Sequence, residues 1–399
     1  MSRPLPSPAP VPRALEIRIR GVVQGVGFRP FVHRLALRWG VRGWVRNEAG
    51  SVRILAEADG APLDAFLAGL EGEAPPLARI DALEAVPAER TGASDFRVLP
   101  SDVAPVGRLP VSPDVAVCPS CAAELHDPSN RRYRYPFVTC TDCGPRFTVI
   151  ESMPYDRERS TMSVFPQCPA CLRECDDPSD RRYHSQTNSC PACGPRVWLE
   201  MDGGVAFRDD MAIRGAGDLL ASGRIVGVRG LGGFHLACDA GDELAVRRLR
   251  ARKGRDAKPL AVMARSLDEV RALACVGPDE AALLTSRERP IVVLERREGD
   301  AFAPSLAPGL STVGIMLAYT PLHLLLLQEV GRPLVMTSGN ESDEPIAIGN
   351  DEARRRLAGV ADAFLLHDRE IAARYDDSLV RASASGPVFL RRARGYAPL

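Results

Sequence analysis

The sequence of 399 residues lacks any run of about 18 apolar residues, which is the length that a membrane-spanning helix requires. Its first residues, MSRPLPSPAPVPR, contain five prolines and no apolar core of a secretory signal. These two absences predict a cytoplasmic protein without a membrane partner, and residues 1–13 are expected to form a disordered tail.

The sequence also lacks a net charge, because Lys+Arg and Asp+Glu both number 51. General binders of nucleic acid or of anionic membranes carry an excess of cations, so neither class is favoured. With 45% hydrophobic and 26% charged residues, the composition is that of a globular protein. The length exceeds that of a typical domain of roughly 100–200 residues, which predicts several domains.

The first segment contains a candidate phosphate site in a glycine-rich turn. Residues 15–20 alternate apolar and basic side chains, as a half-buried strand does, and a helical pattern of apolar residues follows over 28–39. The turn between them can direct backbone N–H groups and the positive end of the helix at one anion, with Arg29 adding a bidentate charge. The predicted phosphate-binding residues are Gln24, Gly25, Val26, Gly27 and Phe28.

The rest of this segment predicts a ferredoxin-like α+β fold. Two strand-like stretches, VRGWVRN and SVRILAEA, precede a short helix near 62–71 and strands near 80–86 and 95–99. Their order, βαββαβ, is that of the split ferredoxin-like motif. The stretches GVVQGVGFRPFVHRLA and GWVRNEAGSV resemble the acylphosphatase signature, which implies a domain of that family over 14–100.

On this resemblance Arg29 binds the phosphate and Asn47 orients the attacking water, so these two are the predicted catalytic residues. The chemistry agrees, because hydrolysis of an acyl phosphate needs charge stabilisation and a positioned water more than it needs a side-chain nucleophile. His33, one turn after Arg29, is predicted to be a surface or packing residue.

A linker is expected over 101–117, and a cysteine-rich segment follows over 118–200. Its pattern C-x2-C-x18-C-x2-C occurs twice, 50 residues apart, and two such knuckles can complete a tetrahedral four-sulfur site with no open position. We expect two structural zinc ions, the first four cysteines on one and the last four on the other, although an interleaved pairing would use the same eight residues. The predicted ligands are Cys118, Cys121, Cys140, Cys143, Cys168, Cys171, Cys190 and Cys193.

Zinc modules often bind nucleic acid, but the charge of this segment disfavours that function. Residues 118–193 contain nine arginines and no lysine against ten acidic residues, and eight thiolates on two zinc ions add further negative charge. The remaining cysteines, Cys175, Cys238 and Cys275, are predicted to be small buried hydrophobic residues.

From residue 207 the pattern changes to alternating helices and apolar strands, which predicts a mixed α/β domain over 207–399. The strand-like stretches are RIVGVRG, PLAVMA, PIVVLE, VGIML, PLVMTS and DAFLLHD. There is no Walker P-loop, but a glycine turn at 229–235, a cationic cluster at 252–259 and the loop Thr337–Ser342 can together hold nucleotide phosphates and ribose. Each of the three alone is also typical of an ordinary turn or of a solvated helix end.

In this order the three elements are similar to the YrdC family, which makes acyl adenylates from ATP and a carbamate-type substrate. The resemblance implies ATP as a substrate, and Mg²⁺ is expected with it. His235, Asp376 and Asp377 are candidates for substrate or metal contact. The implied nucleotide-binding residues are Arg229, where lysine would be expected, His235, Lys253, Arg255, Lys258, Ser338 and Asn340.

The acylphosphatase-like, doubled zinc and YrdC-like segments, in this order, resemble the HypF family of carbamoyltransferases in nickel-iron hydrogenase maturation. The resemblance implies hydrolysis of carbamoyl phosphate to carbamate, then formation of carbamoyl adenylate from carbamate and ATP. Family members carry a further C-terminal domain that transfers the carbamoyl group to the C-terminal cysteine of HypE, on the way to the iron cyanide ligands. We do not expect that domain within these 399 residues, so either the chain is a fragment or another chain performs the last step.

Two alternatives stay open on the sequence. An enzyme of tRNA threonylcarbamoyladenosine synthesis would use the same adenylate chemistry, but it would not need Arg29 and its glycine turn. A non-catalytic zinc scaffold would explain the cysteines and leave Asn47 and the cations of 253–258 without a role.

Overall fold

The computed structural model describes residues 13–48, 50–102, 111–297, 299, 301–341 and 344–399. The predicted tail over 1–12, residues 103–110 of the predicted linker and Ser342 of the predicted nucleotide loop lie outside the described residues. The chain divides into two units. The first comprises Met1–Ser112, Ser152–Arg159 and Leu172–Gln186, and the second comprises Pro113–Glu151, Ser160–Cys171 and Thr187–Leu399.

The first unit is built on a five-stranded sheet with the order β4-β1-β3-β2-β5, in which only β2 and β5 pair in parallel. Its elements are β1 (Arg13–Val22), α1 (Phe28–Trp39), β2 (Arg42–Glu48), β3 (Ser51–Ala58), α2 (Gly60–Gly72), β4 (Arg79–Pro87) and β5 (Phe96–Val98). The predicted ferredoxin-like α+β fold is confirmed, with β5 as an added edge strand.

The alternation predicted for β1 is visible in its burial. Ile17 and Ile19 are fully buried, whereas Arg18 and Arg20 between and after them remain partly accessible, as the two-residue period of a strand requires. Ile17 lies opposite Ile54 of β3, which in turn lies opposite Val45 of β2. Both helices add apolar side chains to the core of this unit.

The cysteine-rich segment has little regular structure, because its fold depends on its cysteine knuckles. It contains α3 (Pro119–His126), α4 (Pro169–Asp176) and a 3-10 turn at Arg157–Arg159. Proline follows the first cysteine of each repeat and opens each helix, where its missing N–H has no helical partner to lose.

The second unit contains an eleven-stranded mixed sheet with the order β16-β15-β11-β12-β10-β13-β9-β8-β14-β6-β7. Its strands are β6 (Val197–Met201), β7 (Gly204–Arg208), β8 (Val226–Arg229), β9 (Phe234–Asp239), β10 (Val262–Ala264), β11 (Ile291–Glu295), β12 (Thr312–Leu317), β13 (Leu334–Ser338), β14 (Ala363–His367), β15 (Leu379–Arg381) and β16 (Val388–Arg391). Its helices are α5 (Asp209–Ala221), α6 (Glu243–Lys253), α7 (Leu267–Leu273), α8 (Pro278–Thr285), α9 (Pro321–Val330) and α10 (Asn350–Leu357), with a 3-10 turn at Pro304–Leu306.

Both faces of this sheet are covered by apolar clusters. Leu334 and Met336 of β13 belong to one cluster and Val335, between them, belongs to the other. The first cluster includes residues of α5, α9 and the first cysteine repeat, and the second includes residues of α6, α7, α8 and α10. The six apolar stretches predicted as strands all contain strands, because a strand buried on both faces has a continuous apolar sequence.

The prediction missed β9, which starts within the stretch interpreted as a glycine turn. The turn itself ends at Gly233, whose carbonyl accepts from Gly230 N at 2.9 Å, and every residue of β9 is buried. Strands β6 and β7 were also not predicted, and β6 pairs with β14 in the large sheet. Among the described helices, none combines the length and the apolar character needed to cross a bilayer.

Candidate functional site

The glycine-rich turn of the first unit has the shape of an anion site. Gly25 and Gly27 both have φ of 73°, a left-handed conformation that side chains disfavour. Gly27 is the N-cap of α1 and offers no side-chain oxygen to the first N–H groups of the helix. These groups therefore keep their capacity for an anionic partner, next to the positive end of the helix dipole. Gln24 holds the turn in place, because its amide donates to the carbonyls of Glu48 (2.9 Å) and Ser51 (3.2 Å).

Arg29 and Asn47, the two predicted catalytic residues, lie together at this turn. The Arg29 side chain is 9% exposed and that of Asn47 is 1% exposed. With the Asn47 oxygen turned toward the guanidinium, it accepts from Nη2 at 3.3 Å and from Nε at 3.2 Å of Arg29. The remaining Asn47 amide nitrogen is then a donor that can hold a water molecule beside the cation.

The sequence did not predict the other partners of Arg29. Nη1 donates to Ser101 Oγ at 3.2 Å, and Nη2 donates to Asp156 Oδ1 at 3.2 Å and to Tyr155 O at 3.4 Å. These partners lie 72 to 127 residues away in the chain, so no local pattern could have revealed them. Asp156 lies between the two cysteine repeats, just before the 3-10 turn Arg157–Arg159, in a segment for which the sequence predicted no functional residue.

Two histidines lie near Arg29, and burial favours the neutral form of both by lowering the pKa of each ring. Burial, with the positive charge of Arg29, lowers the pKa of His184 to about 4. Burial also lowers the pKa of His33, whose ring lies 5.2 Å from that of Tyr183 and 6.2 Å from that of Phe96. Of the two roles that the sequence left open for His33, surface or packing, the structure shows packing, because the residue is buried.

The eight predicted zinc ligands form two groups of four in the consecutive pairing that the sequence favoured. Tetrahedral zinc with Zn–S bonds of about 2.3 Å requires sulfur atoms about 3.8 Å apart. The Sγ distances fit: 3.8 Å for Cys118–Cys140, 3.8 Å for Cys140–Cys143, 3.5 Å for Cys121–Cys143, 3.7 Å for Cys168–Cys190, 3.7 Å for Cys190–Cys193 and 3.6 Å for Cys171–Cys193. Both groups are therefore compatible with structural zinc.

The two groups differ in their surroundings. Cys121, Cys140 and Cys143 of the first are part of an apolar cluster of the second unit, whereas Cys168 and Cys193 of the second are partly exposed. The prediction for the other cysteines was correct for Cys238, which is buried, and wrong for Cys275, which is exposed, while Cys175 is half-buried. Cys275 lies just past the end of α7, where the chain runs along the surface, and its neighbour Ala274 fills the buried position instead.

A cavity of about 170 Å³ in the second unit collects most of the predicted nucleotide residues. Its lining combines cations and hydroxyl groups with apolar side chains such as Ile291, Leu379 and Met336. Of the predicted residues, His235, Arg255, Lys258, Ser338, Asp376 and Asp377 line it, and Thr337, Pro259 and Arg391 join them. A lining that contains both cations and apolar side chains suits a nucleotide, whose phosphates and base need opposite surroundings.

Lys253 and Asn340 lie directly behind this lining. The Lys253 ammonium donates to Ser338 O (2.6 Å), Asn340 O (2.6 Å) and Asn340 Oδ1 (2.8 Å), which ties the end of α6 to the turn after β13. Burial, with the charge of Arg255, lowers the pKa of Lys253 to about 8. Lys253 and Lys258 are the two lysines of the whole sequence, whose other cationic residues are arginines, and this scarcity was a signal that the sequence interpretation did not use.

Asp377 belongs to a buried network of hydrogen-bonded polar groups. Its carboxylate accepts from Arg394 Nε at 2.6 Å and contacts His235 Nε2 at 2.9 Å. Burial alone would raise the pKa of Asp377, but the charge of Arg394 and the hydrogen bond with His235 hold it well below the usual range. Asp376 faces Arg391 at 3.2 Å and is more exposed.

Arg229 lies apart from the lining residues of the cavity. It is buried at the end of β8, and Nη1 donates to the carbonyl of His367 at 2.5 Å. Burial, with the charge of Arg369, lowers the pKa of Arg229 to about 10. Its predicted contact with nucleotide stays a prediction.

Three protein families match successive parts of the chain. The acylphosphatase family matches residues 15–98, the HypF finger family matches 117–150 and 168–200, and the Sua5/YciO/YrdC family, described as telomere recombination, matches 218–393. The matches follow the order of the acylphosphatase-like sheet, the two four-cysteine groups and the large mixed sheet.

Relatives match the chain along nearly its whole length. Carbamoyltransferase HypF2 of Cupriavidus necator is 52% identical over 404 residues, which cover 96% of this chain and 50% of that protein. The probable carbamoyltransferase HypF of Methanocaldococcus jannaschii is 45% identical, and the match again covers 96% of this chain and 50% of that protein. The chain thus spans about half the length of the curated relatives that it matches.

Solved structures agree with this relationship. A crystal structure of full-length HypF in a phosphate- and nucleotide-bound form superposes with a TM-score of 0.93 at 44% identity, covering 98% of this chain and 51% of that one. HypF of T. kodakarensis superposes with a TM-score of 0.90 at 42% identity, covering 97% and 50%. Sequence, domain order and fold together show that the chain belongs to the HypF family.

Proposed function

We propose that the first unit hydrolyses carbamoyl phosphate to carbamate and phosphate, and that the second unit condenses carbamate with ATP to carbamoyl adenylate and pyrophosphate. The contact between the Arg29 guanidinium and Asn47, at the open N-terminus of α1, is the observation that carries the first step. The relatives' name, carbamoyltransferase, and the phosphate and nucleotide bound in one solved relative support the choice of substrates.

The first step needs no side-chain nucleophile. Arg29 and the N–H groups of the glycine turn bind the phosphoryl oxygens and neutralise the charge that they carry in the transition state. A water held by the Asn47 amide attacks phosphorus, the bond from phosphorus to the acyl oxygen breaks, and carbamate leaves with the electron pair. The water gives up its protons to the released phosphate and to solvent.

The second step takes place in the cavity lined by His235 and Arg255. A carbamate oxygen attacks the α-phosphorus of ATP, and pyrophosphate leaves. Arg255, Lys258 and Arg391 lie where they can offset the charge of the triphosphate, and Lys253 holds Ser338 and Asn340 in place to contact it. Mg²⁺ enters with ATP as part of the substrate. Asp376 is the more accessible of the two aspartates that line the cavity, and it is the candidate ligand of this ion.

The two four-cysteine groups hold structural zinc in this proposal. The acceptor of the carbamoyl group is the C-terminal cysteine of HypE, on the route to the cyanide ligands of a hydrogenase iron. Transfer to that partner belongs to the activity of the whole protein, of which the chain spans about half.

Substitution at Arg29 and Asn47 tests the first step. Arg29→Ala should slow phosphate release from carbamoyl phosphate by about a hundredfold or more, because a lost charge clamp removes a few kcal/mol of transition-state stabilisation. Asn47→Ala should lower kcat to a similar degree with a smaller change in KM, since its role is to hold water. Arg97→Ala, which removes an exposed arginine of the same unit, is the matched control. Unchanged phosphate release in the Arg29 variant would refute the proposed site.

A further inference from the structure

Asp156 places a carboxylate on the same guanidinium to which the phosphate should bind. Its Oδ1 lies 3.2 Å from Arg29 Nη2, and the pair is largely buried, with 9% of the Arg29 side chain and 21% of that of Asp156 exposed. The Arg29 contacts already use Nε, Nη1 and Nη2. A guanidinium has five N–H donors, so a phosphate can gain a two-point contact only if at least one present acceptor withdraws.

Asp156 is the acceptor that can withdraw most easily. Its other oxygen, Oδ2, lies 3.2 Å from Nη1 of Arg159 in the 3-10 turn that follows, so the carboxylate keeps an ion pair when it leaves Arg29. The backbone around it is fixed, because Tyr155 N donates to Gln24 Oε1 at 3.2 Å and Arg157 N donates to Gln186 Oε1 at 2.8 Å. A change of the Asp156 side-chain rotamer is therefore sufficient, and the segment need not move.

We propose that Asp156 is an internal competitor for the anion site of Arg29, which selects phosphate dianions over singly charged carboxylates. This inference rests on the proposed hydrolysis and concerns the control of the same site. A tethered carboxylate is present at a high effective concentration, so it displaces a free carboxylate of equal charge. A phosphate dianion, with twice the charge and three oxygens, competes successfully because the N–H groups of the glycine turn also bind it.

Competition by Asp156 weakens the binding of both products of the hydrolysis to Arg29. Carbamate is a monoanion that resembles the Asp156 carboxylate, so Asp156 expels it from Arg29 and frees it for the next step. Asp156 also weakens the hold on inorganic phosphate, because a carboxylate next to a phosphate dianion repels it. Asp156 thereby limits product inhibition by both products.

Anion binding to the full chain tests this role. Inorganic phosphate and acetate, a stable monoanion, are titrated calorimetrically into the wild type, Asp156→Asn, Arg159→Ala and the control Asp95→Asn, which removes an exposed carboxylate of the same unit. Asp156→Asn should bind phosphate about tenfold more tightly and acquire measurable acetate binding. Arg159→Ala should bind phosphate more weakly, since Asp156 then loses its alternative partner. Asp95→Asn should behave as the wild type.

The outcomes separate the inference from the proposed function. Phosphate binding that does not depend on Arg29, judged with Arg29→Ala, would overturn the proposed site itself. Arg29-dependent binding that is unchanged or weaker in Asp156→Asn would overturn only the competitor role. A structural role of the Asp156 turn would weaken binding in both Asp156→Asn and Arg159→Ala, whereas competition shifts the two in opposite directions. Steady-state inhibition of carbamoyl phosphate hydrolysis by acetate, with the expected gain in Asp156→Asn, gives a second readout.

Discussion

At the scale of single residues, burial near other cations lowers the pKa of basic side chains in this chain. Lys253 is the example with the plainest consequence, because its ammonium holds the Ser338–Asn340 turn and its pKa is lowered to about 8. The sequence predicted this lysine as a direct ligand of the triphosphate. Its contacts favour an indirect role instead, in which it positions the turn that contacts the nucleotide.

The lowered pKa predicts a specific pH dependence for the adenylation step. The Lys253 ammonium is present at pH 7, and about a tenth of it remains at pH 9. ATP binding should therefore weaken several-fold between these pH values, measured as an increase of KM for ATP in pyrophosphate exchange. Lys253→Arg, whose guanidinium keeps its charge, should remove this dependence. A KM of the wild type that stays constant up to pH 9 would contradict the assignment.

The same shift predicts the opposite trend for stability. A lysine whose pKa is lower in the folded than in the unfolded state binds fewer protons when folded between about pH 8 and pH 10.4. The contribution of Lys253 to the free energy of unfolding therefore increases with pH across that window. Weaker ATP binding at high pH thus cannot be attributed to unfolding through this residue.

At the scale of structural elements, the two cysteine repeats have the same local fold and different surroundings. Arg134 and His184 occupy equivalent positions, 50 residues apart, and both have positive φ, 54° and 56°. Arg134 pairs with Asp210 and Glu329 in the second unit, whereas the electrostatic neighbour of His184 in the first unit is Arg29. The duplicated element thus supplies an ion-pairing cation in one copy and a neutral ring near Arg29 in the other.

The different burial of the two four-cysteine groups predicts two phases of zinc loss. Metal analysis should give about two zinc ions per chain, and a chelator should remove the ion of the partly exposed second group first. Cys118→Ser should lower the melting temperature more than Cys168→Ser, because the first group is part of the apolar cluster of the second unit. Phosphate release by the first unit should survive Cys118→Ser. One zinc per chain, or release of both ions in a single phase, would contradict this account.

Elements with a local pattern were predictable from the sequence, and contacts between distant segments were not. The alternation of 15–20, the cysteine spacing and the apolar runs of the large sheet each follow from short-range periodicity. Strand β9 was missed because His235 and Asp239 interrupt its apolar sequence, although all of its residues are buried. The contact of Asp156 with Arg29 depends on how the cysteine-rich segment folds, which no pattern near either residue encodes.

At the scale of the whole molecule, the chain combines a glycine turn beside Arg29 in one unit with a cavity lined by cations in the other. The two sites use different chemistry, and the only species that they share in the proposed reaction is carbamate. A carbamate formed by the first unit has to be consumed by the second before it decomposes. The central claim is therefore that the two activities are consecutive steps of one reaction.

The most direct test supplies the full chain with carbamoyl phosphate and ATP and measures exchange of labelled pyrophosphate into ATP. The wild type should exchange, Arg255→Ala should lose exchange while keeping phosphate release, and Arg29→Ala should lose both. Exchange in the Arg29 variant should return in part when carbamate is supplied by concentrated ammonium bicarbonate, because its adenylation site is intact. Normal exchange by Arg29→Ala with carbamoyl phosphate alone would show that the two units do not act in sequence, and would contradict the proposed function.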